Sequence, residues 1–87
     1  MAILLKTDGT KTELKPAIGK LFNLRELQDA VKGYIELVYL TDGKIMVVNE
    51  EGKLNGLEIN HNATKLANLP NDVIVGDVLI CSNKEIN

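Results

Sequence analysis

Tyr34-Ile35-Glu36-Leu37-Val38-Tyr39-Leu40-Thr41-Asp42-Gly43-Lys44-Ile45-Met46-Val47-Val48-Asn49 reads as two β-strands folded back on one another. β-Branched and aromatic side chains suit a pleated surface, and Asp-Gly supplies the left-handed backbone that a tight hairpin turn requires. A two-residue turn at Asp42-Gly43 pairs Leu40 with Ile45, Val38 with Val47 and Glu36 with Asn49. In that register Ile35, Leu37, Tyr39, Met46 and Val48 share one face, and Val38, Leu40, Ile45 and Val47 share the other. Both faces are largely apolar. One is therefore expected to cover a helix, and the other to meet a second layer, a partner subunit or a ligand, because large apolar patches are seldom left in water.

Upstream, Ala2 to Thr7 is an apolar run ending in Asp8-Gly9, followed by alternating side chains from Thr10 to Leu14, which predicts a first hairpin. Pro16 and Gly19 interrupt regular structure. A helix is then expected over Leu24 to Lys32: Asn23 can cap it, Glu26 can reach back from the third helical position, and Phe22 can staple onto Leu27. Leu24, Leu27, Ala30 and Val31 fall on one helical face, and Gly33 is expected in the left-handed position beyond the end. Downstream of the central hairpin, Glu50-Glu51-Gly52 predicts a tight turn, and Lys53 to Ile59 an irregular or briefly extended stretch. Asn60 or Asn62 can cap a short second helix through Ala63, Leu66 and Ala67, stopped by Pro70. Val73 to Cys81 is a final strand with a bulge or bend at Gly76-Asp77, and Ser82 to Asn87 is expected to fray. The expectation is a single α+β domain over residues 1–87. It has a mainly antiparallel, strongly curved sheet of two hairpins plus a final strand, one main helix and a short second helix. Strand order stays open, because strands with two apolar faces fix their pairing weakly.

Eighty-seven residues suffice for one core and not for two. Ten Lys and Arg face twelve Asp and Glu, and only Phe22, Tyr34 and Tyr39 are aromatic, which argues against a nucleic-acid partner held through phosphate charge or base stacking. Residues 1–33 carry six basic and four acidic side chains and residues 34–87 four basic and eight acidic, a mild asymmetry that suits a self-association or partner surface. Cys81 is the only cysteine, so no internal disulfide and no thiolate zinc cluster can form within one chain. The apolar start Met1 to Leu5 meets Lys6 far short of a signal-peptide core or a membrane span, and a cytoplasmic location is expected.

Gly33-Tyr34-Ile35-Glu36, Asp42-Gly43, Val48-Asn49-Glu50-Glu51-Gly52-Lys53-Leu54, Asn60 with Ala63-Thr64, and Ile74-Val75-Gly76-Asp77 occur in the order that resembles a family of small proteins built on a domain of unknown function. The family is met in bacteria, their phages and conjugative or integrative elements, and the resemblance covers nearly the whole chain. It implies an accessory role on a mobile element, in host takeover or evasion of host defence, and it supplies no catalytic residues.

Asn49, Glu50, Glu51, Lys53 and Asn60, with Glu36 across the hairpin, form the densest polar constellation. Asn and Glu can read the donor and acceptor edge of an amide or base, Lys53 can neutralise a phosphate, and amides at the start of the helix after Asn60 can hold an anion. The same residues also read as turn and cap structure, with Asn49 closing a turn, Asn60 capping a helix and both glutamates solvated. A buried Glu36 would be a candidate acid or base. Against an enzyme stand the single His61, no Ser-His-Asp or Cys-His spacing, no phosphate-binding glycine loop and no paired metal-ligand motif; His61 reads as a surface residue and Cys81 as a small core residue. The function expected is a non-enzymatic, self-associating accessory binding protein of mobile-element type that captures a small polar or nucleotide ligand, working as a homo-oligomer without a cofactor, a metal or a membrane. The alternative is a self-associating module that binds a host protein through Val38, Leu40, Ile45 and Val47.

Overall fold

The structure is a computed structural model and describes residues 2–41 and 43–86. Five strands, β1 (Ala2–Leu5), β2 (Lys11–Leu14), β3 (Ile35–Tyr39), β4 (Lys44–Asn49) and β5 (Val78–Ser82), form one sheet in the order β2-β1-β5-β4-β3, with every neighbour antiparallel. The sheet is open. Both hairpins and the final strand are present, and the last strand enters between the hairpins. β5 is apolar throughout its middle because both of its faces are covered.

α1 (Leu24–Val31) lies on one face, where Leu27 and Val31 pack with Phe22, Ala2, Val47, Leu79 and Cys81. Its start is the expected capping box: Asn23 Oδ1 accepts from the Glu26 amide at 2.8 Å, and Glu26 Oε1 accepts from the Asn23 amide at 3.0 Å. Glu26 Oε2 also accepts from the Ala17 amide, so one carboxylate ties the irregular 15–22 segment to the helix. These amide donors hold the Glu26 carboxyl below its ordinary pKa. The left-handed residue at the helix end is Lys32, φ 63°, and not Gly33. Gly33 is needed for space: a β-carbon there would come within 2.7 Å of Asn49 Nδ2.

The opposite face carries α2 (His61–Ala67) and the loops around it, which cover Leu5, Met46, Val48 and Val78 with Ala63 and Ile74. The second layer is thus the chain's own 50–77 segment. Ile59 bridges Val75, and Asn60 N–H donates to the Ile74 carbonyl while Gly76 N–H donates to that of Glu58, which holds this segment together. The backbone bends at Gly76, so Val75 pairs with Ile59 and only Val78 onward joins the sheet.

The central hairpin departs from the expected register by one residue. Ile35 lies opposite Asn49, Glu36 opposite Val48, Leu37 opposite Val47, Val38 opposite Met46 and Tyr39 opposite Ile45. Leu40 N–H donates to the Lys44 carbonyl and Gly43 has φ 73°, as in a three-residue loop that ends on a left-handed glycine. Asp42, half of the expected two-residue turn, lies outside the described residues. The shift re-sorts the faces: Ile35, Leu37, Tyr39, Ile45 and Val47 look toward α1, and Glu36, Val38, Leu40, Met46 and Val48 toward α2.

Residues 82–86, expected to be an open tail, carry regular structure and hydrogen bonds to the rest of the domain. Ser82 and Glu85 form a second capping box around a 3-10 turn at Asn83–Glu85, Phe22 N–H donates to the Glu85 carbonyl at 2.7 Å, and Phe22 pairs with Ile86. The segment thereby closes over buried Phe22. Asn87 lies outside the described residues.

Candidate functional site

A shallow cleft of about 170 Å³ opens on the α2 side of the hairpin, between β3–β4, the turn that follows Asn49 and the loop from Leu69 to Val75. The sequence places it there in steps. Asn49 ends β4, and its side chain folds the chain over: Oδ1 accepts from the Glu51 amide at 2.8 Å and Nδ2 donates to the Val31 carbonyl at 3.0 Å. Successive turns from Glu50 to Gly56 then project Lys53 and the exposed Leu54 over the opening. From the other bank, Asp72 accepts from Lys53 Nζ, and Val73 N–H donates to the same Asp72 oxygen. The Lys53 ammonium is the first cause that holds the Asp72 carboxyl below the usual range.

Of the residues singled out from the sequence, Glu36, Asn49, Glu50 and Lys53 line this cleft. Glu36 projects on the α2 side and is exposed, opposite Val48 and not Asn49, so the burial that an acid or base role called for is absent. Glu51 is exposed and does not line the cleft. Asn60 is 1% exposed and lies in the interior: Nδ2 donates to the carbonyls of Leu5 and Gly76, at 3.0 and 2.9 Å, and Oδ1 accepts from the Ala63 amide. It caps α2 while tying that helix to β1 and to the Gly76 bend. Of the two supports of the phosphate reading, Lys53 lines the cleft but is paired with Asp72, and the start of α2 lies outside it with its Ala63 amide capped by Asn60.

Val38, Leu40, Ile45 and Val47 do not share a face. Ile45 and Val47 are buried on the α1 side of the sheet, and Val38 and Leu40 are half-buried on the α2 side. Sequence reasoning missed Asp72, Leu54, Leu69 and Val73. Asp72 stands 19 residues from Lys53, and no local pattern announces the pairing. Val38, Leu54, Leu69 and Val73 give the cleft apolar walls and rim, while Glu36, Glu50, Asp72 and Lys53 give it an excess of negative charge. No hydrogen bond or ion pair engages the Glu36 or Glu50 carboxylates among the described residues.

Cys81 is buried, and burial first, then the Glu85 carboxylate, pushes its pKa from 9.0 to about 11. The thiol is expected to resist a disulfide reagent at about pH 8 and to react only as the domain unfolds in denaturant, which a colorimetric thiol assay reads directly. The folded form retains the proton to higher pH than the unfolded form, so this group's contribution to stability is complete below pH 9.0 and declines as the pH rises toward about 11. Rapid stoichiometric labelling of the native chain would contradict this placement.

Among the described residues, no group of three or more His, Cys, Asp or Glu is placed to hold a metal ion, and no helix is long and apolar enough to cross a membrane.

An antiparallel sheet covered on both faces, with an open polar–apolar cleft at the end of a hairpin, defines a small α+β domain. The chain belongs to the DUF3846 family, a domain of unknown function, whose model matches residues 1–87. No curated protein and no solved structure matches the chain.

Proposed function

We propose that the protein is a non-enzymatic binding module whose cleft takes a small molecule with an apolar body and an amine or similar cationic donor. The observation that carries this reading is the pair of carboxylates, Glu36 and Glu50, that have no partner among the described residues and stand beside the apolar rim of Leu54, Leu69 and Val73. Small-ligand sites combine apolar walls with a few convergent polar groups, and a surplus of negative charge favours a cation over a phosphate. The mobile-element role implied by the resemblance is served by a compact module of this kind, which acts by withholding a molecule and not by converting it.

Isothermal titration with a panel of hydrophobic primary amines, polyamines and nucleoside monophosphates tests the reading. Amines are expected to bind and the nucleotides not. Leu54→Asp and Glu36→Gln, both at exposed positions, should each alter amine affinity about tenfold or more while far-UV circular dichroism stays unchanged. Nucleotide binding in preference to amines would reverse the assignment of ligand charge, and amine binding indifferent to both substitutions would remove the cleft as the site.

A further inference from the structure

The two edges of the sheet differ. At the β2 edge the backbone groups that point outward belong to Lys11 and Glu13, both exposed and charged, the usual guard against strand addition. At the β3 edge they belong to Ile35, Leu37 and Tyr39. This follows from the ladder: Leu40 N–H and the Tyr34 carbonyl are bonded inward, to Lys44 and Glu50, so alternate residues turn outward. The β3 edge has no lysine, no proline and no bulge. Tyr39 is 74% exposed, and Ile35 and Leu37 are half-buried at the margin of the α1-side core.

We propose that a second copy of this chain pairs with β3 across a two-fold axis at Leu37, making one sheet continuous through both subunits. The strand is self-complementary in that register. Leu37 faces Leu37 of the other copy, Ile35 faces Tyr39, and Glu36 faces Val38, so no like charges oppose and an aromatic meets a β-branched side chain. The three outward residues become the hydrogen-bonded pairs, as the pleat demands. The slip that centres the axis on Glu36 sets carboxylate against carboxylate and is disfavoured. Pairing covers the exposed ring of Tyr39 and extends the α1-side core from one copy to the other.

Sedimentation equilibrium of the untagged chain, combined with residue-resolved amide hydrogen exchange at low and sub-millimolar concentration, tests this. The wild-type chain is expected to dimerise. The amides of Ile35, Leu37 and Tyr39 should gain protection with concentration while those of Lys11 and Glu13 do not. Tyr39→Lys, which adds an edge charge at an exposed position, should weaken dimerisation at least tenfold. The proposal is overturned by a chain that stays monomeric, by an oligomer whose three β3 amides exchange equally at both concentrations, or by a Tyr39→Lys chain that is folded and as dimeric as the wild type. The exchange measurement on the wild-type chain decides the matter even if the substitution disturbs the fold.

Discussion

Asn60→Ala is expected to lower the free energy of unfolding by about 3 kcal/mol, with loss of the α2 cap and of two buried hydrogen bonds to backbone carbonyls. One side chain holds three elements. Its amide nitrogen serves Leu5 at the end of β1 and Gly76 at the bend before β5, and its oxygen serves Ala63 in the first turn of α2. Asn60 is only 1% exposed, and its bonds to both carbonyl oxygens are buried. For a domain of this size the loss corresponds to a fall in Tm of roughly 15 °C. Asn60→Asp separates the two roles: it keeps the cap acceptor but removes both donors and points a carboxylate at two carbonyl oxygens, so it should be at least as damaging as alanine. Asn23→Asp at α1 is the counterpart, an exposed cap whose side chain only accepts, and it should be nearly neutral. Urea denaturation of the three variants reads these differences. A stable, cooperatively unfolding Asn60→Asp chain would contradict the role assigned to the amide nitrogen.

The second large effect is expected at Leu79, where Leu79→Ala should cost about 3 to 4 kcal/mol, against less than about 0.5 kcal/mol for Leu54→Ala. The two substitutions delete the same atoms. Leu79 is 0% exposed in the central strand, packed beneath α1 with Val47, Ala2 and Cys81, whereas Leu54 is 85% exposed on the cleft rim. Truncation in the first case leaves a cavity between a sheet and a helix that cannot collapse without breaking the ladder, and in the second removes a side chain that water already surrounds. Equal costs would place β5 somewhere other than the middle of the sheet.

The elements were legible wherever a short-range signal named them. Asp8-Gly9 and Asp42-Gly43 marked the hairpins, Asn23 with Glu26 marked the start of α1, and Asn60 marked that of α2. Register was not legible, because alternation specifies it only when one face is polar, and in β3 and β4 both faces are apolar. One loop residue then moved Ile45 and Val47 from the side of Val38 and Leu40 to that of Ile35 and Leu37. The central place of β5 was hidden for a related reason, since a strand apolar on both sides announces burial without naming its neighbours. The cleft was half legible. Glu36, Asn49, Glu50 and Lys53 lie near in sequence or on one hairpin, but Asp72 and Val73 reach it only because the Asn60 anchor and the bridge of Ile59 to Val75 bring that loop across. Asn60 itself was marked both as a cap and as a ligand residue, and its cap role is the one its three hydrogen bonds fill.

The most direct test of binding at the cleft is amide chemical-shift mapping of the 15N-labelled chain titrated with a hydrophobic primary amine such as tyramine. Perturbations are expected to cluster on Glu36, Glu50, Lys53, Leu54 and Val73, with the amides around α1 unmoved. Saturable shifts confined to the α1 face, or none at millimolar amine, would contradict the cleft as the site through which this domain acts.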